Sequence, residues 1–432
     1  MRLNLILLSL TLSFLMSCIK PQMHKGKAIA NSTAAATPAS NSTSSTACTP
    51  TWKTMDDYRL RSAEDVKVDS LGNIYVVGYG SDSAVSNTKS FLIIKKSSDG
   101  GKTWSIVNEY QMVDNQNTYS NSIGFDADNS VYAVNEGLST NTLGHWVVRK
   151  STDQGTNWST LEGTLGYQYA SNQTSRAYGF LSDTSGIYVV GSGGSSSGFT
   201  HWLVRKSTDG GSTWALHDDY YYADPEHAIA RKIAKDSQGN LYVVGYARDS
   251  GTSGAGDSAK NYRWTVRKYD GTLWSTVDRY EQTADKNSFA YGVEVDSTGN
   301  IYVVGYGSDT SNIQHWIVRK STDAGATWST IVDWQYVSNQ NSLPYAIGTD
   351  NSGNLFVSGY GANSDGIQVW FTRTSSDGGT TWKTSDEFSY TTGQNAYASG
   401  IARDLDGNLF VVGVANDENL DNRWIVRKYA CH

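Results

Sequence analysis

The sequence predicts an all-β fold, a seven-bladed β-propeller whose last blade is closed by strands from the N- and C-terminal ends. Three observations carry this: a tryptophan phrase written seven times, short apolar runs between glycine turns, and no helical period sustained over three turns of the repeats. The tryptophans are Trp52, Trp104, Trp158, Trp214, Trp274, Trp328 and Trp382, with successive gaps of 52, 54, 56, 60, 54 and 54 residues. Each gap holds three phrases in a fixed order. An Asp-x-x-Gly-Asn turn runs into an apolar strand (296–305, DSTGNIYVVG), then comes HWIVRK (315–320), then STDAGATW (321–328). A period of this length marks one supersecondary unit that must stack on copies of itself to bury its faces.

Composition agrees. Glycine at 42, tyrosine at 27 and tryptophan at 14 against 5 prolines suit strands punctuated by tight turns. Runs such as IYVVGY are continuously apolar rather than alternating, so both faces of each strand are expected to be covered, as in a blade held between two neighbours.

The first 48 residues read differently. An apolar stretch from Leu3 to Met16, too short to span a bilayer, follows Arg2 and ends in Leu15-Met16-Ser17-Cys18, which resembles the lipobox of a bacterial lipoprotein signal peptide. The resemblance implies cleavage before Cys18, a lipid on its sulfur, and membrane attachment through that lipid alone. Ile19, where an aspartate would retain the protein, points to the outer membrane of a host that has one. Residues 18–47 form a Ser/Thr/Ala-rich tether, and 48–432 the propeller.

With Cys18 given to lipid, Cys48 and Cys431 remain, one at each end of the repeats. Aligning the phrases places both on one broken turn: residues 51–58 supply the outer strand of the last blade and about 398–429 its three inner strands. A disulfide there would close a loop of more than 380 residues, worth about 4 to 5 kcal/mol in the chain-entropy account. It also implies an oxidising compartment.

The third phrase, in 97–104 (SSDGGKTW), 207–214, 321–328 and 375–382, resembles the Asp-box or BNR repeat of sialidases and other propeller proteins. The copy at 151–158 is a near match and the one at 268–274 is shortened. A second resemblance, to a bacterial β-propeller repeat, rests on Ala-x-Gly-Ile-x-x-Asp-x-x-Gly-Asn followed by the apolar strand, as in 398–413. Both imply architecture without an activity. A sialidase is disfavoured. There is no Arg-Ile-Pro segment, and Arg149, Arg205, Arg267, Arg319, Arg373 and Arg427 occupy one repeated slot, which suits contacts between blades. The family's catalytic residues carry over to no position here.

Repetition also argues against a metal. His145, His201 and His315 lie at equivalent places in different blades, and Asp69, Asp236, Asp296, Asp350 and Asp404 belong to turns. From residue 49 onward 31 basic residues, the chain's 35 less four in the leader, face 42 acidic ones. That balance argues against nucleic acid and against direct docking on anionic lipid.

A local function is expected where the copies differ, on the face carrying the outer-to-inner loops 110–122, 167–178, 220–232, 280–291, 336–345 and 390–399. Candidate ligand-binding residues there are the recurring amides Asn115, Gln116, Asn172, Gln173, Asn339, Gln340, Gln394 and Asn395, alternatively simple loop caps. The cluster Tyr220, Tyr221, Tyr222, Asp224, Glu226 and His227 has no counterpart in other repeats. Together these readings imply an exported, lipid-anchored, monomeric propeller that binds a glycan or an envelope or host-cell protein, without cofactor, metal or assigned catalytic residue. A polysaccharide-acting enzyme and a structural envelope assembly factor are the alternatives.

Overall fold

Each repeat folds into one four-stranded antiparallel sheet, and seven such sheets close into a β-propeller in the computed structural model, which describes residues 48–59, 61–81, 89–222, 226–248 and 261–431. Among the described residues there are 28 strands, numbered in chain order. The inner strands of blades 1 to 7 are β2 (Arg61–Val68), β6 (Thr118–Phe125), β10 (Ser175–Asp183), β14 (Ala228–Lys235), β18 (Ser288–Val295), β22 (Ser342–Thr349) and β26 (Ala396–Arg403). Each touches the inner strands of both neighbours, and β26 returns to β2.

The ring is closed by the chain's own ends. Strand β1 (Thr51–Arg59) pairs antiparallel with β28 (Asn422–Ala430), from Thr51 opposite Ala430 to Arg59 opposite Arg423. Cys48 and Cys431 are joined by a disulfide beside this seam, with Cα atoms 5.7 Å apart. The Trp52 ring lies 5.1 Å from that of Tyr429, and its indole N–H donates to Ser385 Oγ at 3.0 Å, tying β1 to blade 6 as well.

Blades mesh because a large residue in one faces a hole in the next. Trp146, Trp202, Trp264, Trp316, Trp370 and Trp424, on the third strands of blades 2 to 7, are all within 1% of complete burial. A glycine on the second strand of the following blade makes the room. A Cβ on Gly413 would meet the Trp370 ring at 2.6 Å and the Tyr397 carbonyl at 2.1 Å. Blade 1 carries Leu92 in the tryptophan place, and the following blade then carries Asn135 where the others have glycine. That buried amide satisfies itself, accepting from Ser120 Oγ at 2.8 Å and donating to the Ala133 carbonyl at 3.0 Å.

The repeated basic slot joins the same interfaces. Arg267, Arg319 and Arg427 each make a two-pronged contact with an aspartate on the preceding blade's outer strand, Asp218, Asp278 and Asp386, at 2.6–2.9 Å. Lys95 reaches Asp56 of the closing strand at 2.5 Å. In blade 2 the outer strand shrinks to Ser159–Thr160, and Glu162 from the loop beyond supplies the carboxylate for Arg205 at 2.6 Å. Two interfaces lack an acid: Arg149 faces Asn108, and Arg373 faces Val332. Both arginines leave a buried Nε without a partner and lie on aromatic faces, Tyr110 at 3.8 Å and Trp334 at 4.4 Å.

The outer turns are repeated almost atom for atom. In 97–104 Ser97 Oγ donates to Asp99 Oδ1 and accepts from the Gly101 N–H, Asp99 accepts from the Lys102 and Thr103 amides, and Trp104 Nε1 donates to the Gly101 carbonyl. Gly101 has φ +90°, a conformation a side chain would strain. Asp69, Asp236, Asp296, Asp350 and Asp404 likewise accept two backbone amides each in their own turns.

Candidate functional site

Every inner strand carries one residue more than its partner needs. Its pairing slips past a single position in each blade: Glu64, Asn121, Tyr178, Arg231, Tyr291, Tyr345 and Ser399. Such a bulge re-aims a side chain. Here all seven line a single cavity of about 270 Å³ in the middle of the ring, together with Lys232 and Tyr397. The bulges lie toward the starts of the inner strands, on the face that carries the outer-to-inner loops.

Tyrosine and arginine dominate this wall. The Tyr345 ring is 5.2 Å from Tyr291 and 6.1 Å from Tyr397. The Arg231 guanidinium sits 4.5 Å from the Tyr178 ring centre and 5.3 Å from that of Tyr291, a cation between two π faces. Among the described residues no side chain or carbonyl accepts a hydrogen bond from it, and no carboxylate pairs with it. Burial works against its charge, but the hydroxyls of Tyr246, Tyr178, Tyr291 and Tyr345 outweigh burial and hold it above the ordinary arginine value. Arg231 therefore stays protonated.

Glu64 is the carboxyl on this wall. Burial pushes it up to about 8, against the opposing pull of Lys232 and Arg231, so near neutral pH it carries its proton. Asp65, the next residue, behaves oppositely. Burial opposes its charge too, but Lys232, Lys67 and the Ser122 hydroxyl overcome that and hold it below the ordinary carboxylate range.

One layer deeper the inner strands come close together. The residues after the bulges include Gly179, Gly292, Ala346 and Gly400, small enough for neighbouring inner strands to approach. A Cβ on Gly400 would meet the Asp65 Cα at 2.9 Å and the Glu64 carbonyl at 3.1 Å. Across this constriction Lys232 of blade 4 reaches Asp65 of blade 1 at 3.2 Å, and Ser122 Oγ donates to the same Asp65 oxygen at 2.8 Å. Beyond lies a second cavity of about 300 Å³ that includes Lys67, Lys235 and Glu294. Burial, opposed by Lys67, the Thr349 hydroxyl and Arg403, pushes Glu294 up to about 7.

The residues singled out from sequence lie elsewhere. Asn115, Asn172 and Asn339 sit at the left-handed corners of tight turns, with φ of 60°, 59° and 62°. Gln116, Gln173 and Gln340 follow in the same turns and Gln394 follows Gly393 in the corresponding one, their backbone N–H groups donating to the carbonyls of Val113, Ala170, Val337 and Thr391. Asn395 Oδ1 accepts the Gln368 amide at 2.9 Å. Tyr220 stacks with Arg267 at 4.1 Å in the repeated interface, and Tyr221 lies 4.7 Å from the His201 ring. Tyr222 is 47% exposed and carries Arg279 at 3.3 Å. Glu226 is buried 3.8 Å from Arg248, and His227 Nδ1 accepts the Thr200 amide. Asp224 lies outside the described residues, as do Cys18 and the segment resembling a lipobox. His201 and His315 each pair with an aspartate of their own blade, Asp219 and Asp333, at 2.6 Å. Among the described residues no three metal-ligating side chains come together.

Sequence reasoning missed the central ring. The signal was present as the variable residue of the repeated Ala-x-Gly phrase, Ser399 in its last copy, and as the final residues of three of the variable stretches, Tyr178, Tyr291 and Tyr345.

No protein-family model matches the chain, and no curated protein matches it. Solved structures do. The chain is similar to an ulvan lyase, a polysaccharide lyase, at 13% identity over 88% of this chain and 96% of the other, with a TM-score of 0.55. An ulvan lyase bound to -[GlcA(1-4)Rha3S]- gives 14% identity over 84% and 90%, with a TM-score of 0.54. The Trypanosoma rangeli sialidase in complex with the inhibitor DANA aligns at 12% identity over 88% of this chain and 55% of its own, with a TM-score of 0.45. At these identities the likeness to the two ulvan lyase structures is one of propeller fold alone.

Proposed function

We propose that this propeller is a carbohydrate-binding protein whose ligand seats one sugar ring in the central cavity against Tyr178, Tyr291, Tyr345 and Tyr397. The observation that carries this reading is the convergence of the seven bulge residues, which differ from blade to blade, on a single cavity. Aromatic faces cover the apolar side of a sugar; Asn121 Nδ2 already donates to the Ala177 carbonyl at 2.8 Å and Ser399 Oγ to the Ala63 carbonyl at 2.6 Å, so these two side chains offer a sugar their oxygens as acceptors for its hydroxyls. A cavity of about 270 Å³ is close to the lower end of ligand pockets, on the order of 300 Å³. The protein is proposed to act at the cell envelope, exported, monomeric and anchored through lipid on Cys18, and the Cys48–Cys431 disulfide suits an oxidising compartment.

The test is a glycan array probed with the full chain and with Tyr345→Ala, the same glycans being assayed for released sugar. Binding that is lost in Tyr345→Ala supports the proposal; binding indifferent to it sinks the central site.

A second reading, a polysaccharide-acting enzyme, is favoured by Glu64, a carboxyl on the cavity wall that keeps its proton near neutral pH, as the general acid of glycosidic bond cleavage must. Sugar release abolished by Glu64→Gln would establish it, and release unaffected by that change would exclude Glu64 as the acid.

A further inference from the structure

We infer that the sugar held in the central cavity is anionic, and that Arg231 selects it by receiving its carboxylate or sulfate group. This rests on the carbohydrate reading above and specifies the substrate class. The geometry is that of a charge waiting for a counterion. The Arg231 guanidinium is fixed between the Tyr178 and Tyr291 rings, 4.5 and 5.3 Å from their centres, and faces the cavity. The other strong cation of the wall, Lys232, is already spent on Asp65 at 3.2 Å. The remaining acid, Glu64, makes no hydrogen bond to Arg231, and burial keeps its proton on near neutral pH.

Among the described residues of the repeated basic slot, Arg205, Arg267, Arg319 and Arg427 each have a carboxylate, and Arg149 and Arg373 lie against aromatic rings. Arg231 differs from these in having both no carboxylate partner and a cavity beside it. A guanidinium offers a planar fork that matches a carboxylate or a sulfate, and such charge-assisted pairs strengthen where water is partly excluded. The overall negative charge of the propeller makes this local preference depend on the one side chain rather than on a general field.

The experiment titrates the full chain at pH 7 with glucuronate, glucose 6-sulfate, glucose and inorganic sulfate, using calorimetry, and repeats the series with Arg231→Gln, Arg231→Lys and Tyr345→Ala. The expected result is that glucuronate or glucose 6-sulfate binds at least tenfold more tightly than glucose, that Arg231→Gln reduces the ratio to about one, and that Arg231→Lys restores part of it. Whichever of the two sugars is preferred identifies the group as carboxylate or sulfate. Equal affinity for charged and uncharged sugars, or a preference that survives Arg231→Gln, overturns the inference while leaving the carbohydrate reading in place. Inorganic sulfate binding that needs Arg231 but ignores Tyr345→Ala, with no sugar bound, upholds the anion site and overturns the carbohydrate reading. Silence with all four probes overturns both.

Discussion

The outer belt of the ring and its inner layer come from the same repeats and have opposite characters. In the belt, Ser97, Ser151, Ser207, Ser321 and Ser375 each receive the amide of a glycine four residues on and donate to an aspartate two residues on, in five nearly superimposable turns. In the inner layer the equivalent positions hold Glu, Asn, Tyr, Arg, Tyr, Tyr and Ser. Repetition serves contacts that every blade needs, whereas a site that meets one ligand at the centre of a ring must be asymmetric. The belt therefore governs stability and the inner layer recognition, and substitutions should separate the two.

The largest effect is expected at a belt-side ion pair. Asp278→Ala strands the buried Arg319 and should lower the unfolding free energy by about 3 to 5 kcal/mol, seen as a lower urea midpoint, while sugar affinity at subsaturating urea stays as in the parent. A loss of affinity without a loss of stability would erase the distinction between the regions.

Next comes the mesh between blades. Gly413→Ala drives a methyl against the Trp370 ring and the Tyr397 carbonyl, and overpacking of this kind costs about 1 to 3 kcal/mol. Because Tyr397 also lines the cavity, this substitution is the one that should disturb both properties, and thermal melting and calorimetry on one sample would show it.

The inner layer is probed by pH. Glu64 is faced by Arg231 and Lys232 from β14, by Asp65 from its own strand, and by Tyr79 and Tyr397. Its folded value of about 8 lies above the ordinary 4.5, so it is neutral below that pH and becomes a competing anion beside Arg231 above it. Affinity for an anionic sugar should fall as pH rises through about 8 and stay flat in Glu64→Gln. The same shift means that the folded chain holds this proton more tightly than the unfolded chain. Its contribution to stability is complete below pH 4.5, fades as pH rises to about 8, and is flattened by the substitution. An affinity profile that is identical in parent and variant would remove Glu64 from the site.

The smallest effect is a gain. Val332→Asp gives Arg373 the carboxylate that its counterparts possess. Burial now pulls that guanidinium down to about 10, and the new pair should add about 1 kcal/mol after the cost of burying the acid. A melting temperature that drops instead would mean that Val332, 8% exposed in its apolar cluster, matters more as packing than Arg373 does as an unpaired charge.

Much of the architecture was legible because a repeat announces itself. The spacing from Trp52 to Trp382 counted the blades, and the aligned phrases with Cys48 and Cys431 at their ends placed both termini of the repeats on one broken turn. The repeated arginines were legible as contacts between blades, though not that Val332 and Asn108 deny two of them an acid. The central cavity was hidden for a specific reason. A β-bulge is one unpaired residue, and in sequence it looks like any variable letter. Arg231 and Lys232 stood at the end of a variable stretch in which Tyr220–Tyr222 drew the eye by being alike and adjacent.

What the sequence determined by itself was everything that depends on period: the number of blades, the turns, the continuous apolar strands, the closing seam and its disulfide. Neighbouring residues and regular spacing encode those contacts locally. Only the tertiary structure decided which residues meet at the centre, because Glu64 and Ser399 are more than three hundred positions apart and become neighbours only once the ring has closed. The small residues Gly179, Gly292 and Gly400 let the inner strands come close, and it is that closeness, with seven side chains turned inward by their bulges, that makes one cavity out of seven copies.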